Sequence, residues 1–278
     1  MSKKSDLLEQ EIEELASNYD SLPSNLPDWL LELGVHPSSD ILKSQRIGSK
    51  DKNNKTDVLI ELNNSINIKI SVKLNNADYF GNWYGHIRFL KEFGLPAFNR
   101  LTKDVTKWAN WWLTTKNSPF VGVSICFGKR SGNTAKRFLD IFSIEDIFSV
   151  VKGFDDDNKD STANCLYINS TPPKTLEELI ENLQPITQES IRQAVGEFQI
   201  AYRPINPMTE GTNRGKNVYT RFMPFKKMDI PTTVTTIEEL SKLGKFETVE
   251  PNRLNHNHIL DDLQKNYNII IPRKPRKS

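Results

Sequence analysis

The fold of this chain is decided by the stretch Lys55-Thr-Asp-Val-Leu-Ile-Glu-Leu-Asn-Asn-Ser-Ile-Asn-Ile-Lys-Ile-Ser-Val-Lys73. Two runs rich in aliphatic residues flank a short polar segment, a pattern that predicts two consecutive β-strands joined by a turn. From Ile66 to Val72, every second residue is isoleucine or valine, and polar residues occupy the positions between them. Because side chains alternate along a strand, the apolar set is predicted to face a core and the polar set to face the opposite side.

The polar positions of this strand pair carry the residues that we expect to act in chemistry. Asp57 lies at the start of the first strand, and Ser71 and Lys73 lie near the end of the second. If the strands are neighbours, a hydroxyl and a lysine project together beside an acidic residue. This arrangement is the basis of the functional prediction below.

Composition sets wide limits on the fold and on the class of partner. The chain has 278 residues and a net charge of +2, so it is long enough for one large domain or two modest ones. A charge so close to balance neither favours nor excludes nucleic acid. Cys126 and Cys165 are far apart in sequence and lie in apolar or mixed surroundings, which is typical of buried, reduced thiols. The chain has no run of about 20 apolar residues of the kind that crosses a membrane, so we expect a soluble cytoplasmic protein.

Residues 5–18 are predicted to form an amphipathic helix that begins near Ser5, a residue that caps helices well. Apolar residues recur at helical spacing, and glutamates fall largely on the other face. Two interpretations remain open at this point. The glutamates form an exposed acidic face, or Glu11 or Glu14 points at the strand pair and supplies a supporting carboxylate.

After the strand pair, residues 74–85 form a loop rich in asparagine, aromatic residues and glycine, in which Asn75 and Asn76 are placed to contact a ligand. Helices are predicted over 86–93 and 101–115. The apolar run at 119–127 predicts a third, buried strand. A basic turn follows at 128–137.

Residues 198–227 combine basic and hydrogen-bonding side chains with glycines. Arginine and asparagine make paired hydrogen bonds to guanine and adenine, so this composition suits a loop that reads bases. The alternative is an ordinary hairpin with a basic edge. The candidate DNA-binding residues of the segment are Arg203, Thr212, Asn213, Arg214, Lys216, Asn217, Tyr219 and Arg221.

Thr56-Asp57 and Ser71-Val72-Lys73 resemble the signature of the PD-(D/E)XK nuclease superfamily. Within that superfamily, the pattern is similar to type II restriction endonucleases of the MspI and HpaII kind. The resemblance covers residues 55–73, and residues 198–227 more loosely. It implies an α/β (α+β) fold in which helices flank a central mixed β-sheet.

The chain departs from this signature at Ser71, where the family usually has a glutamate or aspartate. The resemblance implies that Asp57 ligates the metal, that Lys73 orients or activates water, and that Ser71 holds a metal-bound water or occupies the vacant ligand position. The backbone carbonyl of Val72 and the carboxylate of Glu61 complete the expected ligand set, with Glu14 as a further source.

The resemblance further implies Mg²⁺-dependent cleavage of double-stranded DNA at a short specific sequence. We expect a catalytic nuclease core at 1–150 and a DNA-recognition part at 151–278, packed on the core as one compact unit. A homodimer and a DNA methyltransferase that protects the host sites are the expected partners. The alternatives are a catalytically degenerate DNA-binding protein of the same fold, and a repair or junction-resolving nuclease.

Overall fold

The computed structural model describes residues 3–47, 55–75, 79–81, 84–115, 118–129, 133–153, 161–209, 217–252 and 254–274. The helices are α1 (Lys3–Ser17), α2 (Asp28–Leu33), α3 (His86–Trp112), α4 (Ile144–Lys152), α5 (Leu176–Asn182), α6 (Gln188–Val195), α7 (Ile237–Leu243) and α8 (His256–Tyr267). The strands are β1 (Ile41–Arg46), β2 (Val58–Leu62), β3 (Ile68–Lys73), β4 (Tyr79–Gly81), β5 (Val123–Gly128), β6 (Ala135–Arg137), β7 (Cys165–Ile168), β8 (Leu183–Pro185), β9 (Gln199–Pro204), β10 (Thr220–Pro224), β11 (Thr232–Thr233), β12 (Gly244–Thr248) and β13 (Ile269–Ile270).

The chain divides into two compact units, each built from two separate segments. The first unit comprises Met1–Phe80 and Ser143–Phe198, and the second comprises Gly81–Phe142 and Gln199–Ser278. This division differs from the boundary at residue 150 that we predicted. The difference arises because the chain leaves the first unit after residue 80 and returns to it near residue 143, a path that composition does not reveal.

The first unit contains a mixed five-stranded sheet with the order β1-β2-β3-β7-β8. The β1–β2, β2–β3 and β7–β8 pairs are antiparallel, whereas β3 and β7 are parallel. The predicted strand pair is therefore the β2–β3 hairpin, which lies inside the sheet. This finding confirms the general prediction of a mixed sheet with helices, and the strand pair occupies the middle of that sheet.

Helix α1 packs on β1, β2 and β3 through an apolar stripe that includes Leu8, Ile12 and Ala16. The same cluster contains the even-numbered residues of β2 and β3, from Val58 to Leu62 and from Ile68 to Val72. Burying these aliphatic side chains against one another holds the helix to the sheet, at about 25 cal/mol for each Å² of apolar surface removed from water. Ile66 is an exception to the predicted pattern, since it lies in the turn and is 49% exposed.

The second unit contains the strands β5, β9 and β6, which pair in that order, and the smaller β10–β12 and β11–β13 pairs. All six residues of β5 are buried, as the apolar run at 119–127 predicted, and β5 pairs antiparallel with β9 and not with the β2–β3 hairpin. Helix α3 covers both predicted helices and is interrupted by a kink at Gly94, whose φ of 76° and ψ of 172° are not helical and whose positive φ favours glycine.

A cluster of aromatic rings fills the space between α3 and the strands of this unit. Each ring of the cluster contacts at least one other ring, and the members are Tyr84, His86, Phe89, Phe93, Phe98, Phe127, Phe138, Phe142 and Tyr219. Edge-to-face contacts dominate, which is the arrangement that aromatic quadrupoles favour.

Across the described residues, none of the helices combines the length and the apolar composition needed to span a bilayer.

Candidate active site

Asp57, Ser71 and Lys73 lie close together at one end of the β2–β3 hairpin. Asp57 directly precedes β2, and its backbone N–H donates to the carbonyl oxygen of Ile70 at 2.8 Å. The antiparallel pairing of β2 with β3 ends at Val58 and Ile70, three residues before the end of β3. Because β3 continues past this point, the side chains of its last residues surround the Asp57 carboxylate.

The three side chains form a hydrogen-bonded group centred on one carboxylate oxygen. Asp57 Oδ2 accepts from the backbone N–H of Val72 at 2.8 Å and forms an ion pair with Lys73 Nζ at 3.4 Å. Lys73 Nζ also donates to Ser71 Oγ at 2.9 Å and to the Val72 carbonyl oxygen at 3.0 Å. The Ser71 hydroxyl lies 3.5 Å from the same Oδ2 and completes the group.

Solvent reaches these side chains unequally. The side chains of Lys73 and Asp57 are 17% and 19% exposed, so an external group can approach both. Ser71 is 0% exposed. Its hydroxyl bridges Lys73 and Asp57, so we assign it the task of orienting the other two side chains.

Glu9 of α1 is a site residue that the sequence prediction missed. Its side chain is 1% exposed and accepts from Arg46 at 3.3 Å and from Ser5 at 3.2 Å. Burial raises the pKa of the Glu9 carboxyl above its ordinary value, and the nearby charge of Asp57 raises it further. The hydrogen bonds from Arg46 and Ser5 act in the opposite direction.

The predicted supporting carboxylates on α1 do not lie at this site. Glu11 and Glu14 are both exposed, and Glu14 accepts a hydrogen bond from Gln10 at 2.7 Å. A signal for Glu9 was nonetheless present in the sequence. Ser5, Glu9, Ile12 and Ala16 follow the i, i+4, i+7, i+11 spacing of a single helix face, so a carboxylate lies among residues that pack on the sheet.

Glu61 does not join Asp57. The two positions are four residues apart, which is about 13 Å along an extended strand. Glu61 instead accepts from Gln45 Nε2 of the neighbouring strand at 2.9 Å. The expectation that both carboxylates hold one metal ion is therefore wrong for this geometry.

The donor atoms near Asp57 suit a magnesium ion with few protein ligands. Among the described residues, no three His, Cys, Asp or Glu side chains come together as a metal-binding group. Magnesium is commonly held by only one or two carboxylates, with water and substrate phosphate as its other ligands. Every described hydrogen bond to the Asp57 carboxylate ends at Oδ2. Oδ1 of Asp57 and the carbonyl oxygen of Val72 thus fit such an ion.

The candidate DNA-binding residues are divided between the units. Asn75 belongs to the first unit, is exposed and follows Lys73 by two positions; its backbone N–H donates to Ser170 Oγ at 3.2 Å. In the second unit, Arg203 of β9 and Arg221 of β10 are half-buried, as is Asn217. Asn76, Thr212, Asn213, Arg214 and Lys216 lie outside the described residues.

Tyr219 is placed in the core of the second unit and not on its surface. The residue is 0% exposed, and its hydroxyl donates to the backbone carbonyl of Tyr84 at 3.1 Å. Its ring packs against those of His86 and Phe89. The phenol therefore stabilises the fold, and in this arrangement it does not reach a base.

Comparison of the chain with protein-family models, with curated proteins and with solved structures found no match.

Proposed function

We propose that this protein is a type II restriction endonuclease, which hydrolyses phosphodiester bonds in double-stranded DNA at a short specific sequence with the help of Mg²⁺. The observation that carries the proposal is the Asp57–Lys73 ion pair of 3.4 Å at the end of two neighbouring strands, with both side chains partly open to solvent. Phosphodiester hydrolysis needs an acidic ligand for a divalent ion and a cation close to the attacking water. Asp57 and Lys73 supply these two groups.

The arrangement of strands supports assignment of the first unit to the PD-(D/E)XK superfamily. The Asp57 strand and the Lys73 strand form an antiparallel hairpin, and β7 extends the sheet in parallel beside β3. Helix α1 covers one face of the hairpin. The proposed core therefore combines the predicted sequence signature with a mixed sheet and a covering helix.

Each residue of the site has a defined task in this proposal. Mg²⁺ bound at the site would stabilise the negative charge that develops on the scissile phosphate. Asp57 would hold the ion through Oδ1, together with the Val72 carbonyl oxygen. Lys73 orients the attacking water, and its own position is fixed by Ser71 Oγ at 2.9 Å and by the Val72 carbonyl oxygen at 3.0 Å.

The short Ser71–Lys73 distance also suggests a different chemistry, in which lysine activates serine as a nucleophile. Such a nucleophile must contact its substrate, with the reacting atoms about 3 Å apart. Ser71 is 0% exposed, so a substrate does not reach its hydroxyl. Burial of Ser71 favours metal-assisted attack by water.

Recognition of DNA is assigned to Asn75 and to the second unit. Arg203, Asn217 and Arg221 are the described side chains proposed to contact DNA there, together with the candidates of 212–216. Cleavage of both strands calls for two copies of the site or for sequential nicking, and we propose a homodimer. A DNA methyltransferase in the same cytoplasm would protect the host sequence.

The experiment that tests this function is digestion of plasmid DNA by the purified protein with and without MgCl₂. Discrete fragments are expected with Mg²⁺. Asp57→Asn and Lys73→Met should each lower cleavage by about 10²–10³-fold, because each removes a charge that acts on the transition state. DNA binding without metal should be nearly unchanged.

Matched controls come from the same unit. Asp40→Asn and Lys43→Met remove the same charges at exposed positions and should cleave at the wild-type rate. Wild-type activity in Asp57→Asn or Lys73→Met would refute the site assignment.

The neutral, buried residue at position 71 favours one second candidate, a DNA-binding protein of the same fold that has lost catalysis. Retained sequence-specific binding without cleavage at any Mg²⁺ concentration would support this candidate. Selective cleavage of a four-way junction, without discrete plasmid fragments, would instead indicate a repair or junction-resolving nuclease.

A further inference from the structure

One side of helix α3 carries an exposed row of basic residues that ends in a tryptophan. Arg100, Lys103, Lys107 and Trp111 are all exposed. At 100° per residue, these positions fall within an arc of about 80°, and the row extends for about 17 Å along the helix axis. We call these residues the α3 row.

Trp111 is unusual in being both exposed and supported. Trp111 is 49% exposed, yet its ring centroid lies 5.5 Å from that of Trp112. Trp112 in turn stacks on Trp108, with centroids 4.9 Å apart and an angle of 19° between the planes. Trp108 is anchored because its Nε1–H donates to the carbonyl oxygen of Asn133 at 3.0 Å. The supported ring loses little conformational freedom when a ligand stacks on it.

The charge along the α3 row stays positive when Asp104, the acidic residue of the helix within this row's span, is counted, because three cations outnumber one carboxylate. Asp104 accepts a hydrogen bond from the hydroxyl of Tyr202 at 2.5 Å, so its carboxylate is directed towards β9. Arg100 donates through Nε to the carbonyl oxygen of Ile141 at 3.0 Å, which holds its guanidinium in place. The row thus offers three cations beside one supported aromatic ring.

We propose that the α3 row binds single-stranded DNA. A duplex offers phosphates but keeps its bases stacked inside, whereas a single strand offers phosphates and base faces together. Lys103 and Lys107 contact successive parts of the phosphate backbone, and Trp111 stacks on an unpaired base. Charge complementarity with the three cations accounts for the backbone, and the exposed ring accounts for the preference for a single strand.

This surface belongs to the second unit, and its function is independent of the proposed cleavage at Asp57. The direct test is fluorescence anisotropy of a labelled thymidine oligonucleotide of about 12 nucleotides, compared with a blunt duplex of equal length, in buffer without Mg²⁺. The wild-type protein should bind the single strand more tightly. Trp111→Ala should weaken that binding about tenfold, and Trp111→Phe should preserve most of it.

Salt dependence tests the lysines separately. The double variant Lys103→Ala/Lys107→Ala should reduce the slope of log K against log [NaCl] by about 1.4, because two phosphate contacts on a single strand are lost. The matched control is Lys242→Ala/Lys265→Ala, which removes two exposed charges of the same unit outside residues 198–227 and should leave the slope unchanged.

Several results would overturn the proposal. These are tighter binding of the duplex, unchanged binding by Trp111→Ala, equal slopes in the two double variants, and competition by polyglutamate as effective as that by the oligonucleotide. A dimer that dissociates in Trp111→Ala, seen by sedimentation, would assign the row to contact between copies of the chain. Loss of cleavage in Asp57→Asn with normal oligonucleotide binding would leave the inference intact.

Discussion

His86 links the start of α3 to two other parts of the second unit, and it does so only as a neutral ring. Its Nε2 lies 2.9 Å from the carbonyl oxygen of Val218, and its Nδ1 accepts from the backbone N–H of Asn252 at 3.0 Å. The residue is buried, so a proton added to Nδ1 would be both desolvated and placed against a donor. Val218 lies two residues before β10, within the segment proposed to contact DNA. Protonation of His86 is therefore expected to loosen that segment.

The size of the effect follows from the pKa of this residue. Burial lowers the pKa of His86 from 6.5 to about 4. In the unfolded chain the ring binds a proton below about pH 6.5, whereas in the folded protein it stays neutral down to about pH 4. Stability from His86 is thus fully present above the unfolded pKa and is lost as the pH falls through the folded one. The full loss is about 3 kcal/mol, of which about 2 kcal/mol falls between about pH 7 and pH 5.

Urea unfolding at a series of pH values, followed by tryptophan fluorescence, measures this loss. Between about pH 7 and pH 5, the wild-type free energy of unfolding should fall by about 2 kcal/mol more than that of His86→Gln. The reason is that the variant has no ionisable group at position 86. His36→Gln, at an exposed position, should retain the wild-type dependence. If His86→Gln does not fold well enough to be measured, NMR titration of the wild-type imidazole gives the same answer. Titration of His86 near pH 6.5 in the folded protein would refute the reasoning.

Two further predictions concern the proposed active site. Ser71→Ala should lower the rate of cleavage about tenfold at saturating Mg²⁺ and leave the half-maximal Mg²⁺ concentration unchanged. The reason is that the substitution removes a hydrogen-bond acceptor of Lys73 and no metal ligand. A shifted Mg²⁺ requirement in cleavage assays would contradict this role. Glu9→Gln should raise the half-maximal Mg²⁺ concentration for cleavage about tenfold, because a negative charge that interacts with Asp57 is lost. Glu14→Gln, on the exposed side of α1, is the control. An equal effect of both variants would show that Glu9 has no specific role in metal binding.

The β2–β3 hairpin could be predicted because its information is local. Alternating apolar residues from Ile68 to Val72, a polar turn and a second aliphatic run specify both strands and their contact. Once these strands are paired, Asp57 must lie near Ser71 and Lys73. The grouping of these three residues was accordingly available from sequence, whereas the complete burial of Ser71 was not, since it depends on what covers the other face of the sheet.

The assignment of β5 to a second sheet could not be predicted in the same way. Its six buried residues identify a strand with both faces covered, but its partner β9 begins more than 70 residues later. Pairing over such a separation depends on the whole chain and is not encoded in any short window. Tyr219 was misjudged for a related reason: the surrounding polar residues suggested a surface, and only the aromatic cluster explains its burial.

The serine at position 71 also changes the charge balance of the proposed site. With a second acid at this position, Asp57 and that acid would outweigh Lys73, leaving a negative site that attracts a divalent cation. With Ser71, the charges of Asp57 and Lys73 cancel. Glu9, whose carboxyl interacts electrostatically with Asp57, is then a further acidic residue near the site, and Arg46 balances part of its charge.

Burial and the charge of Asp57 raise the pKa of Glu9, so the site resists a second negative charge while no cation is present. A cation held by Asp57 would reverse the second of these influences and favour ionised Glu9. In the proposed enzyme, Glu9 of α1 would supply part of the negative charge that the superfamily signature places on β3, and a bound metal ion would favour its ionised form. Such a coupling would make a neutral residue at position 71 compatible with the proposed metal-dependent cleavage.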